Sequence, residues 1–182
     1  MLITNRPKSN FTTFTDVPIS LPYSFKTKEA EQLSIKAFDL KKSRQFDEAI
    51  ELYKKAISIE QDNPKLFFDM AECYASTDRL IIAVHLMDTA ISLDSLYAPF
   101  YSNRGLYNYK LYNDQDAIND YKKAIKLDAK NDVFHINLAS VYYSNNNFSE
   151  ACAEFKLAIL LGTTLDDLKG QPEVEKLKDL CK

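Results

Sequence analysis

Alanine recurs in this chain with a fixed period, and that period constrains the fold more than any other feature. Pairs of alanines seven residues apart follow one another every 34 residues. The four pairs are Ala49 and Ala56, Ala83 and Ala90, Ala117 and Ala124, and Ala151 and Ala158. Seven residues make about two turns of an α-helix, so both alanines of a pair lie on one helical face and allow a second helix to approach closely. A fixed period of about 20 to 50 residues is typical of a solenoid built from one repeated supersecondary unit.

The composition argues against several classes of protein. The 182 residues include 23 Lys and Arg against 26 Asp and Glu, whereas a non-specific nucleic-acid binder normally has a basic excess. The first residues lack the apolar core of a signal peptide, and no apolar run is long enough to cross a membrane. We therefore expect a cytoplasmic protein that binds neither nucleic acid nor membranes.

The first 29 residues differ from the rest and predict an extended N-terminal arm. They contain three of the six prolines, which disfavour a helix. Apolar residues alternate with polar residues or proline, a period of two that gives the arm one apolar side. The alternating apolar residues are Val17, Ile19, Leu21, Tyr23 and Phe25. We expect residues 14–25 to pack on the repeats, either in the groove of their own chain or in that of a neighbour, which would make a homodimer.

The alanine period divides residues 30–165 into four repeats, 30–63, 64–97, 98–131 and 132–165. Each repeat is predicted to hold two helices joined by a short polar turn. Asn63 precedes Pro64 and is a candidate N-cap for the second repeat, whereas Asp47 and Ser149 are candidate N-caps for second helices. Residues 166–182 predict a C-terminal capping helix that begins at Pro172 and has Val174, Leu177 and Leu180 on one face.

Two further positions carry a family resemblance. The eighth position of the repeats is Ala37, Ala71, Gly105 and Ala139, and the twenty-fourth is Tyr53, Met87, Tyr121 and Phe155. Together with the alanine pairs, these residues resemble the tetratricopeptide repeat pattern over residues 30 to about 162. The resemblance implies an all-α fold, an α-solenoid in which helix-turn-helix repeats form a right-handed superhelix. A variant of the repeat, with Asn-Arg-Gly at 103–105, also suggests an ion pair between Arg104 and Asp120.

The resemblance implies that a partner's peptide binds in a concave groove formed by the first helices. Carried over position by position, it predicts eleven groove residues: Phe68, Asp69, Glu72, Asn103, Leu106, Tyr109, Lys110, Ile136, Asn137, Ser140 and Tyr143. Asn103 and Asn137 are one period apart, and an asparagine amide can both donate to and accept from a peptide backbone.

A charged clamp for acidic C-terminal tails is known in the same family and requires Lys and Arg at particular groove positions. Here those positions hold Phe68, Glu72, Val133 and Asn137, and only Asn103 matches. The departure argues against a heat-shock co-chaperone role.

Residues with catalytic or metal-binding chemistry are few. His85 is predicted on the outer side of a second helix and His135 at an aromatic packing position, so both are expected to be structural. The three cysteines, Cys73, Cys152 and Cys181, include no CxxC pair, which argues against a metal site and against a disulfide.

We therefore expect no enzyme activity, no cofactor and no metal. The predicted function is a non-catalytic scaffold or adaptor that binds a peptide segment of a protein partner. Two alternatives remain open: a secretion-type or assembly chaperone that uses the same groove, and a regulatory subunit of an enzyme complex. The residues do not name the partner, the pathway or the oligomeric state.

Overall fold

The computed structural model describes residues 22–164 and 172–181, with the side chains of 172–175 excepted. All regular elements in these ranges are α-helices. They are α1 (Lys28–Lys42), α2 (Phe46–Ile59), α3 (Pro64–Ser76), α4 (Leu80–Leu93), α5 (Ala98–Lys110), α6 (Asp114–Leu127), α7 (Asp132–Ser144), α8 (Phe148–Leu161) and α9 (Pro172–Leu180).

The helices pack in sequential pairs, as the predicted solenoid requires. The first helices are α1, α3, α5 and α7, and the second helices are α2, α4, α6 and α8. Each first helix packs against the second helix of its own pair, and α3, α5 and α7 also pack against the second helix of the preceding pair. Contacts also join α1 to α3 and α5 to α7, so the first helices form an inner layer. The predicted all-α solenoid is confirmed. The predicted division into an arm, four repeats and a cap stays a prediction, because residues 1–21 and 165–171 lie outside the described residues.

The periodic small residues lie where helices come closest. All eight paired alanines have no exposed surface, and neither do Ala37, Ala71 and Ala139 at the eighth position. Gly105 holds the eighth position of the third repeat, where an added Cβ would lie 3.2 Å from the Cβ of Asp120 and 3.3 Å from the carbonyl oxygen of Ala117. Because Gly105 has no Cβ, α5 and α6 can approach each other here more closely than an alanine would allow.

The turn inside each helix pair contains one residue with left-handed backbone. Arg44, Asp78, Tyr112 and Asn146 have φ angles of 60°, 61°, 63° and 60° and recur every 34 residues. Asn146 and Asp78 are of types that adopt this conformation more readily than most, whereas Arg44 and Tyr112 are not. The Tyr112 side chain in the turn of the third repeat is 54% exposed.

The N-cap predicted for a first helix is confirmed, whereas the two N-caps predicted for second helices are wrong. The Asn63 side chain accepts a hydrogen bond from the backbone of Lys65 (3.2 Å) ahead of Pro64, which confirms that cap. The predictions for Asp47 and Ser149 are wrong, because α2 and α8 begin one residue earlier and their N-cap residues make no side-chain cap. Each of these helices starts two residues after the left-handed residue of its turn, so Asp47 and Ser149 lie inside the first helical turn. Asp47 instead pairs with Arg79 at 2.5 Å.

The ion pair between Arg104 and Asp120 is confirmed, and it joins the two helices of the third repeat. Arg104 donates from Nε to Asp120 (3.0 Å) and from Nη2 to the other carboxylate oxygen of Asp120 (2.6 Å). It also donates to Asp88 on α4 (2.7 Å). Asp120 is buried at 5% exposure and receives a further hydrogen bond from Asn108 (3.2 Å). Arg104 therefore joins α5 to both α4 and α6 in a partly desolvated environment.

The helix α9 packs against α7 and α8 at the end of the solenoid. Leu177 is fully buried there as predicted, but Leu180 is 46% exposed, and Cys181 is buried in its place. Cys181 forms a disulfide with Cys152 of α8, so the prediction of no disulfide is wrong. A cysteine count cannot reveal that α9 folds back to bring two residues 29 positions apart into contact. The side chain of Val174 lies outside the described residues.

None of the helices within the described ranges is long and apolar enough to cross a membrane.

Candidate functional site

The eleven predicted groove residues lie on three consecutive first helices. Three belong to α3, four to α5 and four to α7, which places them along the inner layer of the solenoid. We call the exposed side of this layer the inner surface. Its two ends differ in chemistry and are described in turn.

Four charged residues neutralise one another at the end formed by α1 and α3. The Lys41 ammonium lies 3.2 Å from a carboxylate oxygen of Asp69 and 2.7 Å from one of Glu72, and Lys65 also pairs with Asp69. Burial raises the pKa of Glu72, and Lys41 opposes that change. For Lys41, burial works against the charge, but Glu72 and Asp69 outweigh it and raise the pKa of the ammonium. The two acids and two lysines of this cluster therefore carry no net charge together.

The end formed by α5 and α7 is polar and mostly neutral. Asn103 is buried, and its Nδ2 donates to the carbonyl oxygen of Pro99 in its own helix (2.9 Å). Asn137 is half-buried, and none of the described residues forms a hydrogen bond with its side chain. The Tyr109 hydroxyl and the Ser144 hydroxyl are 2.6 Å apart and link α5 to α7. Of the two asparagines, Asn137 has the more available amide.

Lys110 is the last residue of α5 and adds a positive charge to this mostly neutral end. It is half-buried, and no described residue forms an ion pair with it. Burial lowers the pKa of the Lys110 ammonium, although Asp78 acts in the opposite direction. A partly desolvated ammonium of this kind gains from a nearby anionic group, because the charge is poorly stabilised by water.

The predicted groove residues differ in depth. Phe68, Asp69, Leu106, Ile136 and Ser140 are buried, as are Asn103 and Tyr109. Ser140 is fully buried, and its hydroxyl donates to the carbonyl oxygen of Ile136 in its own helix (2.9 Å). The residues that remain half-buried are Glu72, Lys110, Asn137 and Tyr143. The first group forms the floor of the inner surface, and the second group is within reach of a ligand.

One contributor to the inner layer was not among the predicted site residues. Tyr23, in the segment that precedes α1, stacks on Phe100 of α5 with ring centroids 6.1 Å apart. Its hydroxyl donates to a carboxylate oxygen of Asp94 (2.5 Å). The apolar alternation of the arm was the signal for this contact, since Tyr23 and Phe25 both pack on the core. The rest of the predicted arm contact, residues 14–21, lies outside the described residues.

The histidines take the positions expected of structural residues. His135 is buried, with Nδ1 2.6 Å from a carboxylate oxygen of Glu154 and Nε2 3.3 Å from the carbonyl oxygen of Ala129. His85 is exposed on α4. Within the described part of the chain, no cluster of three or more His, Cys, Asp or Glu side chains is arranged to hold a metal ion.

Two family models match the chain where the helix pairs lie. A model described as "Tetratricopeptide repeat" matches residues 40–94, and one described as "TPR repeat" matches residues 113–146. The chain is a tetratricopeptide repeat protein. The predicted family is thereby confirmed.

Curated relatives of this tetratricopeptide repeat protein are much longer chains. RNA polymerase II-associated protein 3 of Mus musculus is 31% identical over 145 residues, which cover 76% of this chain and 22% of that relative. Heat shock protein STI1 of Saccharomyces cerevisiae is 28% identical over 141 residues, covering 75% of this chain and 24% of STI1. The match thus spans less than a quarter of the length of either relative.

Solved structures show the same fold. The first TPR of Spaghetti (RPAP3) bound to HSP90 peptide SRMEEVD is 25% identical with a TM-score of 0.63, covering 65% of this chain and 94% of that one. A crystal structure of MamA protein has a TM-score of 0.71 at 18% identity and covers 84% of this chain and 87% of its own. The second likeness concerns the fold alone.

Proposed function

We propose that this protein is a non-catalytic adaptor that binds an extended peptide segment of a protein partner on its inner surface. The observation that carries the proposal is the row of half-buried polar side chains above the buried floor of the inner surface. Glu72, Lys110, Asn137 and Tyr143 come from three consecutive first helices, so one extended segment can touch them in succession.

The chemistry of the α5–α7 end suits a peptide backbone. An extended peptide presents N–H and C=O groups that need partners when they leave water. The Asn137 amide has both a donor and an acceptor available to supply them. Tyr143 adds apolar area with a polar tip, a combination enriched at protein interfaces.

The α1–α3 end disfavours an acidic C-terminal tail as the ligand. A similar repeat domain was solved with the HSP90 peptide SRMEEVD, which makes co-chaperone activity the second candidate function. In this chain Glu72 and Phe68 hold two positions at which the family's clamp requires other residues. Lys41 is already paired with Asp69 and Glu72. We therefore propose a partner segment that is not an acidic tail.

The proposal is tested with peptides selected from a random library on the full chain and measured by titration calorimetry. Asn137→Ala removes the available amide, and a lost pair of hydrogen bonds should weaken binding about tenfold. The matched control is Asn119→Ala on the outer face of α6, an exposed asparagine whose side chain bonds only to Gln115 among the described residues. It should leave binding unchanged.

Equal affinity in both variants contradicts the inner-surface proposal. SRMEEVD is titrated in parallel and should bind at least tenfold more weakly than the selected peptides. If SRMEEVD binds as tightly as they do, the co-chaperone candidate replaces the first one.

A further inference from the structure

The segment that leads into α1 is bound to repeats far from its own. Residues 22–27, which we call the strap, cross the connections α2–α3 and α4–α5. Asn63, in the first connection, donates to the carbonyl oxygen of Ser24 (3.4 Å). Asp94, at the start of the second, accepts the hydrogen bond from Tyr23. The strap therefore belongs in sequence to the first helix pair but contacts the second and the third.

The Tyr23 ring completes an aromatic cluster that joins α3 and α5 of the inner layer. It stacks on Phe100 and meets the edge of Tyr97 at 5.9 Å between centroids. Phe100 in turn lies 5.7 Å from Phe68, one of the floor residues of the inner surface. We call Asp94, Tyr97 and Phe100 the aromatic site. Tyr23 fills it, and the contact between Phe100 and Phe68 joins it to the floor of the inner surface.

The strap has the features of a bound extended peptide. Its side chains alternate, with Tyr23 and Phe25 packed on the core and Pro22, Ser24 and Lys26 exposed. Two of its side chains anchor it beside the backbone contact at Ser24: the Tyr23 hydroxyl bonds to Asp94, and Lys26 pairs with Asp62. Alternating pockets that read every second side chain are typical of sites that recognise extended segments.

The two ends of the strap are held differently. Thr27 is the N-cap of α1, and both its amide and its hydroxyl donate to the buried carboxylate of Glu60 (2.5 and 3.0 Å). At the other end, Tyr23 is only half-buried and is held by ring contacts and one hydrogen bond. Tyr23 can therefore leave the aromatic site while Thr27 still caps α1.

We propose that the aromatic site recognises an extended segment carrying an aromatic residue, and that the strap occupies it in cis as a built-in competitor. A partner segment of the same chemistry must displace Tyr23 before it binds. Tethering gives the strap an effective concentration on the order of millimolar, which weakens any ligand that competes with it. The inference rests on the proposed adaptor function, and it adds that access to the aromatic site beside the floor of the inner surface is autoinhibited.

The test measures whether removing the Tyr23 ring from the chain allows a separate peptide with the strap sequence to bind at the aromatic site. A fluorescent peptide of residues 14–27 is titrated, by anisotropy, into the full wild-type chain and into the full chain carrying Tyr23→Ala. We expect the Tyr23→Ala chain to bind the peptide at least tenfold more tightly than the wild type. The same peptide carrying Tyr23→Ala should not bind either chain, because it lacks the ring that fills the aromatic site.

Two controls keep the result decisive. Tyr23→Phe keeps the ring and removes only the hydrogen bond to Asp94, so this chain should bind the peptide more tightly than wild type and less tightly than Tyr23→Ala. Circular dichroism must show that α1–α8 remain folded in each variant. If the folded Tyr23→Ala chain binds no peptide, or binds it no better than wild type does, the proposal is overturned.

Light scattering tests whether the strap that fills the aromatic site comes from a second copy of the chain. A wild-type chain that doubles in mass with concentration, and a Tyr23→Ala chain that does not, would show that a neighbour's strap fills the site and would overturn occupancy in cis. This assay uses a known sequence as its probe and needs no selected peptide. A negative result with the strap peptide would therefore overturn the aromatic-site proposal without contradicting the adaptor proposal, which the Asn137 experiment tests.

Discussion

The ion pair between Arg104 and Asp120 provides a quantitative prediction, because its partners are more buried than those of an ordinary surface pair. The side chains are 23% and 7% exposed. Removing one partner of a fully buried pair costs about 3–5 kcal/mol, since the other charge is left uncompensated. Arg104 is partly in water, and Asn108 still donates to Asp120, so we expect Arg104→Met to cost about 2–3 kcal/mol.

A double-mutant cycle isolates the pair from the other contacts of Arg104. Urea unfolding of Arg104→Met, Asp120→Ala and the double variant should give a coupling free energy of about 2 kcal/mol. The control is the same cycle on Arg79 and Asp47, whose side chains are 37% and 78% exposed. That exposed pair should couple by about 0–1 kcal/mol.

The pH dependence gives an independent check. Burial raises the pKa of Asp120, and Arg104 opposes that change. Without Arg104 the folded-state pKa of this carboxyl lies further above its unfolded value of about 3.9. A raised folded-state pKa makes ionisation costly to the folded state, so protonation relieves the cost as the pH falls. The deficit of Arg104→Met relative to wild type should therefore shrink as the pH falls from neutral toward that unfolded value. Equal coupling in the two cycles, or a deficit independent of pH, would refute the reasoning.

Three further predictions concern other features of the fold. Reducing the disulfide, which closes a separation of 29 residues, should lower the free energy of unfolding by up to about 3–4 kcal/mol in calorimetry, and a Cys181→Ser chain should be insensitive to reductant. Tyr112→Gly should raise the urea midpoint by the equivalent of about 0.5–1 kcal/mol, because left-handed backbone strains the exposed tyrosine; an unchanged midpoint contradicts this. Lys110→Met should raise the melting temperature at neutral pH, where the charge of a lysine with a lowered pKa costs stability. That gain should vanish as the pH rises toward about 10.4, and a gain constant with pH would count against it.

The alanine period was sufficient to predict the helix pairs, because only small residues fit where two helices touch. The same argument located Ala83 and Ala117, which are fully buried. The turns were harder to predict. Arg44 and Tyr112 adopt left-handed backbone because the geometry of the repeat demands it, and neither residue type signals that conformation.

The sequence was enough to predict which helices carry the candidate site residues, but not how deeply each side chain is buried. The repeat register assigns Asn137 and Ser140 to the same inner layer. It does not reveal that Ser140 is fully buried and bonded to its own helix while Asn137 retains an available amide. Depth depends on how closely α5 and α7 approach, which is a property of the whole packing. The disulfide was missed for a similar reason, because it depends on the direction in which α9 returns.

Amide hydrogen exchange of the full chain, with and without a selected peptide, tests the central claim most directly. If a partner segment binds on the inner surface, added protection should appear in α5 and α7 and leave the outer helices α6 and α8 unchanged. Asn137→Ala should reduce that protection at the same peptide concentration. Protection confined to α6 and α8, with α5 and α7 unaltered, would contradict the account and move the partner site to the outer face.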